Sequence, residues 1–341
     1  MPRKSGHERT ETTISKPLAI GLAVALALGG CSTGGESVER ASATTQVPVT
    51  TIEVGSDPAD VAFGAGAIWV VNHGDGTLAR IDVARNSVSS PPIRVESAPI
   101  SVVTHGGTIW VGHRRTPNVV AIDAASGRRI GAPIRVAVPG ADHSQDGIAL
   151  AAGEGALWAV NRNSRGLWRI DPRTRRVGKP IRVGERPYAV AVGHGYVWVA
   201  NAADGTVSRV DPGSRRAVGT PIRVGRGPIG LVVDHGVVWV ANYDDGTVTR
   251  IDAASGVVVG AIAVGGRPAD VAIADGKVWV TNSSDATVTR IDVATAEVVG
   301  PAIPVGERPF SIAVGAGAVW VANALSGSIS RIGTRAKGGL R

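Results

Sequence analysis

Tyr196-Val-Trp-Val-Ala-Asn201, an apolar run with one tryptophan that ends in asparagine, is one of seven near-copies along this chain. Its core recurs as Trp69-Val-Val-Asn72, Trp110-Val-Gly-His113, Trp158-Ala-Val-Asn161, Trp198-Val-Ala-Asn201, Trp239-Val-Ala-Asn242, Trp279-Val-Thr-Asn282 and Trp320-Val-Ala-Asn323. Successive tryptophans stand 41, 48, 40, 41, 40 and 41 residues apart. Self-similarity at about 40 residues, built from short strands, marks a propeller or a solenoid.

Residues 184–224 are the clearest copy. Tyr188-Ala-Val-Ala-Val192 reads as the innermost strand, where crowding near an axis favours small side chains. Tyr196–Ala200 is a second strand covered on both faces. Asp204-Gly205 is a hairpin signal before a third strand, Thr206–Asp211. Pro212-Gly213 breaks that strand, and Ala217 to Val224 reads as the outer one. Seven such units predict an all-β, seven-bladed β-propeller with four-stranded blades. The last copy stops after Ser328-Ile-Ser-Arg-Ile332 and has no outer strand. Val47-Pro-Val-Thr-Thr-Ile-Glu-Val54 has that pattern, so the N-terminal strand is expected to complete the last blade and close the ring. An open solenoid would leave two bare edges.

With Trp in place of Tyr, these tetrapeptides resemble the YVTN-type β-propeller repeat over residues 47–335. That resemblance implies a binding scaffold, often at bacterial surfaces, without one fixed chemistry.

Residues 1–30 read as a leader. Arg3, Lys4, Arg9 and Lys16 precede an apolar run, Leu18 to Leu28. Leu28-Gly29-Gly30-Cys31 resembles the bacterial lipobox, which implies cleavage before Cys31, its lipidation, and tethering on the outer side of the cytoplasmic membrane. Cys31 is the chain's one cysteine, so no intramolecular disulfide forms. Residues 31–46 read as a flexible tether and 336–341 as a basic tail. Net charge is +8. Its arginine pairs, such as Arg128-Arg129 and Arg215-Arg216, are scattered over separate repeats, which argues against a nucleic-acid stripe. A monomer is expected.

Repetition within the chain separates scaffold from candidates. The strand-ending asparagines are expected to bond their turns. Arg80 and its equivalents in five other repeats, all but Arg331 two residues before a turn aspartate, are expected to form inter-blade Arg–carboxylate pairs. Candidate ligand contacts are the departures and the mouth arginines: His73, His113, Arg114, Arg115, Asp142 and His143 on blades one to three, with Arg186, Arg267 and Arg308 before the inner-strand prolines. Guanidinium groups there suit an anionic ligand. Three of these residues are histidines, and with neighbouring aspartates they are the candidates for a divalent metal, but their spacing over separate blades matches no ligand signature. No cofactor is expected. His105, His194 and His235 are expected in turns on the opposite face, and Trp168 in the core.

No nucleophile triad, nucleotide loop or paired-carboxylate motif is present, so the reading is a binding or scaffold module for an envelope protein, a glycan or a small anionic ligand. The alternative is a metal-dependent lyase. The chain also resembles the virginiamycin B lyase propellers more distantly, which implies a His and Glu constellation with magnesium. No catalytic residue carries over, because His194 and His235 fall on the wrong face. Replacing Cys31 by Ser is expected to abolish metabolic fatty-acid labelling and to move the protein from the membrane to the soluble fraction.

Overall fold

The computed structural model describes residues 47–89, 91–137 and 147–334. The leader 1–30, the tether with Cys31, the tail 336–341, and Asp142 and His143 lie outside the described residues. Within them all regular structure is β, arranged as seven antiparallel sheets. The inner strands are Pro58–Gly64, Pro99–His105, Ile148–Gly153, Pro187–Gly193, Pro228–Asp234, Pro268–Ala274 and Pro309–Gly315, heading blades one to seven. Together they form a seven-bladed β-propeller.

The ring closes as the sequence suggests. Val49–Glu53 lies antiparallel to Ser328–Gly333, with Ile52 opposite Ile329 and Thr50 opposite Arg331. Blade seven therefore takes three strands from the end of the chain and one from its beginning.

Each of the seven repeat tryptophans is buried in the seam between its own blade and the next. Trp69 of blade one packs with Val102, Ile109, Val111 and Ile122 of blade two. Trp158 meets Val190, Val197 and Val210 of blade four, and Trp320 of blade seven meets Val61, Ile68 and Ile81 of blade one. Seven seams are filled this way. Burying an indole removes roughly 150–250 Å² from water, so the tryptophans supply much of the lateral cohesion. In five blades the indole N–H donates to the carbonyl ending its own inner strand, as from Trp320 to Gly315 at 3.0 Å. Trp168 fills the same seam as Trp110.

Two expectations need correction. The repeated arginines make no inter-blade carboxylate pairs among the described residues. Pairing register sets each one opposite its own blade's tryptophan, Arg80 against Trp69 and Arg250 against Trp239. Their guanidinium carbons lie 5.6 and 5.2 Å from the indole centroids, so these arginines make cation–π contacts with tryptophan in place of the expected carboxylate pairs. The outer strand of blade four, read as continuous from Ala217 to Val224, is two short pieces, Arg216–Ala217 and Ile222–Arg223. Between them Gly219, at φ 70°, and Pro221 interrupt the ladder. In blade five the outer strand Val258–Ala263 runs unbroken, as Val49–Glu53 does in blade seven, and Val257 and Val259 before and within the former are 58% and 51% exposed.

Ile52→Asp, which puts a charge into the closing seam, is expected to cost on the order of 3 kcal/mol or more. Thr51→Asp, on the exposed face of the same strand, should stay within about 0.5 kcal/mol of the parent. Thermal melts of the two variants make the comparison.

Candidate functional site

Every blade presents two loop residues on one face, here called the upper face. One precedes the first residue of the inner strand, and the other follows the last residue of the second strand. The carbonyl of the first accepts the N–H of the second: Asp57 from His73 (2.8 Å), Ala98 from Arg114 (2.8 Å), Gly147 from Arg162 (3.0 Å), Arg186 from Ala202 (3.0 Å), and so round the ring. Asp57, Ala98, Arg186, Arg267 and Arg308 all take left-handed φ values, between 50° and 57°. A residue before proline resists that conformation, so the mouth is held in a strained geometry by the rest of the blade.

The strand-ending asparagines lock this arrangement from beneath. Asn201 is fully buried. Its Nδ2 donates to the hydroxyls of Thr206 (3.0 Å) and Ser208 (2.9 Å), and its Oδ1 accepts the N–H of Gly184 (3.1 Å). A Cβ on Gly184 would stand 2.5 Å from Asn201 Cγ, which is why glycine occupies that place. In blade two both partners change together. His113 replaces the asparagine and Glu96 the glycine, with Glu96 accepting from Asn118 Nδ2 (2.8 Å) and pairing with Arg129 (2.9 Å). His113 is fully buried, its Nδ1 lies 3.3 Å from the Asn118 carbonyl, and burial pulls its pKa below the usual histidine value.

Over blades two to four the upper face opens into a cleft of about 690 Å³. Arg114, Arg162, Arg165 and Arg186 line it, with Glu185 and Tyr188. Arg162 lies over the ring of Tyr188, its guanidinium carbon 3.5 Å from the centroid. Its Nε is buried without a hydrogen-bond partner. Burial depresses the pKa of this guanidinium; Arg114 and Arg186 press in the same direction, and Tyr188 and Asp60 oppose them. Glu185 is the one carboxylate among the described lining residues, and Arg165 pairs with it.

Arg162 and Tyr188 also line two further spaces. One, of about 220 Å³, is walled by Asp57, His73, Arg114 and Arg308. The other, about 150 Å³ in the axial channel, reaches Asp60, Asp270, Ser101 and Ser311. There, inner-strand side chains staple neighbouring blades. Asp60 accepts from its own blade's Val61 N–H (2.9 Å), from Val102 N–H of blade two (2.8 Å) and from the Ser311 hydroxyl of blade seven (2.6 Å). Asp270 accepts from Val271 (2.9 Å) and from Ile312 of blade seven (3.1 Å). Burial, and then the charge of Asp60, push the Asp270 pKa up to about 7.

The expected site residues thus fall into groups. Arg114 and Arg186 share the large cleft, and His73, Arg114 and Arg308 the smaller space. Arg267 stands apart, 5.5 Å from the Tyr243 ring. Arg115 is exposed in a left-handed turn, at φ 66°. His113 faces the blade interior, and Asp142 and His143 are outside the described residues. His194 and His235 occupy the turns between first and second strands, and His105 ends the inner strand before one. Arg162, Tyr188 and Asp270 were not singled out by the sequence reading. A usable signal existed for the last: Pro58-Ala-Asp-Val61 and Pro268-Ala-Asp-Val271 are identical, while other blades carry Ser, Ala or Gly at the aspartate.

No protein-family model matches the chain, and no curated protein matches it significantly. Solved structures do. Virginiamycin B lyase from Staphylococcus aureus superposes with a TM-score of 0.73 at 13% identity, covering 85% of this chain and 100% of that one. A catalytically inactive variant of that lyase with quinupristin gives 0.71 at 14%, covering 85% and 100%. Hydrazine synthase from Kuenenia stuttgartiensis gives 0.71 at 15%, covering 82% and 96%. At such identities the likeness is one of fold. Among the described lining residues, the cleft offers four guanidinium groups, which donate and do not ligate, and one carboxylate, Glu185, paired with Arg165, so these residues do not fit the magnesium implied by the lyase resemblance. Among the described residues no three His, Cys, Asp or Glu side chains gather to hold a metal.

A carboxyl with a raised folded-state pKa binds more protons folded than unfolded, so its contribution to stability declines as pH rises. For Asp270 the decline spans about pH 4 to 7, from its ordinary range to its folded value. Chemical denaturation across pH 4–8 should show Asp270→Asn gaining on the parent as pH rises, with the gap levelling off above about 7.

Proposed function

We propose that this chain is a lipid-anchored, extracytoplasmic binding module of the YVTN-type repeat kind. It is monomeric and carries its ligand site in the upper-face cleft of blades two to four. The observation that carries this reading is the convergence of Arg114, Arg162, Arg165 and Arg186 on one concave space, opposed by the single carboxylate Glu185 among the described lining residues. Scaffold needs do not account for it, because the repeated arginines of the third strands already stack on tryptophans elsewhere. A cationic cleft with an aromatic floor suits an anionic group on an envelope protein, a glycan or a small molecule. Attraction over a Debye length of about 8 Å at physiological salt would also speed capture.

The alternative, a metal-dependent lyase, draws support from the fold it shares with virginiamycin B lyase. The donor chemistry of the cleft weighs against it. Magnesium-dependent turnover of quinupristin by the purified protein would establish the lyase reading and displace the binding one.

Ala203 lines the cleft and is exposed. Ala203→Trp fills the space without touching the seams, and should abolish capture of ligand from envelope extracts with a melting temperature close to the parent's. Undiminished capture by this variant would move the site elsewhere.

A further inference from the structure

Arg162 presents an electrostatic imbalance. Its guanidinium is stacked against Tyr188 and its Nε has no partner. Among the described lining residues, the cleft's carboxylate already belongs to Arg165. Arg114 and Arg186 are near enough to depress its pKa further, so like charges crowd it. Asp60 offers a counter-charge, but that carboxylate is occupied by three hydrogen bonds to the inner strands. A half-buried cation without a dedicated anion is costly, and is tolerated where a bound group completes it.

Arg162 itself is firmly held. Its N–H is tied to the Gly147 carbonyl, and Gly147 has no Cβ to crowd the arginine stem, since one placed there would lie 3.0 Å from Arg162 Cδ. Tyr188, the second residue of blade four's inner strand, packs against the guanidinium. Arg114 and Arg186 reach the same space from the exposed rim. Three planar donor forks around one concavity match an oxyanion of more than one charge and several acceptor oxygens better than a lone carboxylate.

We propose that the cleft is a phosphate-recognition site, in which Arg162 is the buried anchor and Arg114 and Arg186 are rim contacts for a phosphate group on the natural ligand. This rests on the binding-module reading and narrows its ligand class. Bound phosphate supplies a dedicated counter-charge that none of the described residues gives Arg162, so the empty site is the less stable one, and Arg162→Met should leave the ligand-free fold as stable as the parent or more so.

Calorimetric titration of the full chain with inorganic phosphate in chloride buffer tests it. Saturable binding is expected, weakened at least about tenfold by Arg162→Met and also weakened by Arg114→Gln and Arg186→Gln. The rim variants guard against a folding defect. Arg226→Gln, at an exposed arginine paired with Asp245 at 2.5 Å, should bind like the parent. No saturable binding by the parent, or equal affinity in Arg162→Met, would overturn the proposal. Citrate binding more tightly than phosphate would overturn the phosphate assignment in favour of a carboxylate ligand. If Ala203→Trp abolishes envelope capture while phosphate fails to bind, the cleft reading stands and the ligand class alone is lost.

Discussion

The architecture depends on one contact repeated around an axis: an indole from each blade buried in the apolar face of the next. A blade alone would expose that face, and a blade with a single neighbour would still expose one. Only a closed circle buries all of them, which makes the short N-terminal strand as important as any complete blade. Apolar burial is non-directional, so it sets the cohesion but not the angle between blades. Angular definition comes from polar staples, Asn201 to Gly184 at the rim and Asp60 to Val102 at the axis.

These staples divide the ring unevenly. At the inner-strand position of Asp60, blades one, two, six and seven carry Asp or Ser, whereas blades three, four and five carry Ala149, Ala189 and Gly230. Hydroxyl and carboxylate lacing across the axis therefore covers the arc from blade six through blade three. The cation-lined cleft opens at the end of that arc, beside the blades with small residues. Polar groups near the axis are spent on rigidity in one sector, and on an accessible concave surface in the other.

Much of the fold was legible because its cause is local and repeated. The tryptophan period set the number of blades, and the missing outer strand after Ile332 pointed to closure by residues 47–54. The arginine partners were misread because a charge near a carboxylate in sequence looks like half an ion pair. Strand pairing instead sets Trp69 directly opposite Arg80, a cross-strand neighbour that period-two geometry could have exposed. The central pair of the candidate site was hidden for a different reason. Arg162 sits in what reads as a polar turn and Tyr188 in what reads as a small-residue strand; their stacking exists only once blades three and four are side by side. His113 looked like a functional departure from asparagine. Its meaning lies in the matched change of glycine to Glu96, seventeen positions earlier in the chain.

The stitch between Val49–Glu53 and Ser328–Gly333 also dictates the order of biogenesis. The first strand made must wait for the last one, across nearly the whole polypeptide, so this pairing has the highest contact order in the molecule and its loop-closure entropy is met late. Until synthesis reaches the last strand, two ladders of unsatisfied amides stay open. A nascent or prematurely terminated chain is therefore the form most vulnerable to proteolysis and aggregation, and quality control need inspect only whether the two ends have met.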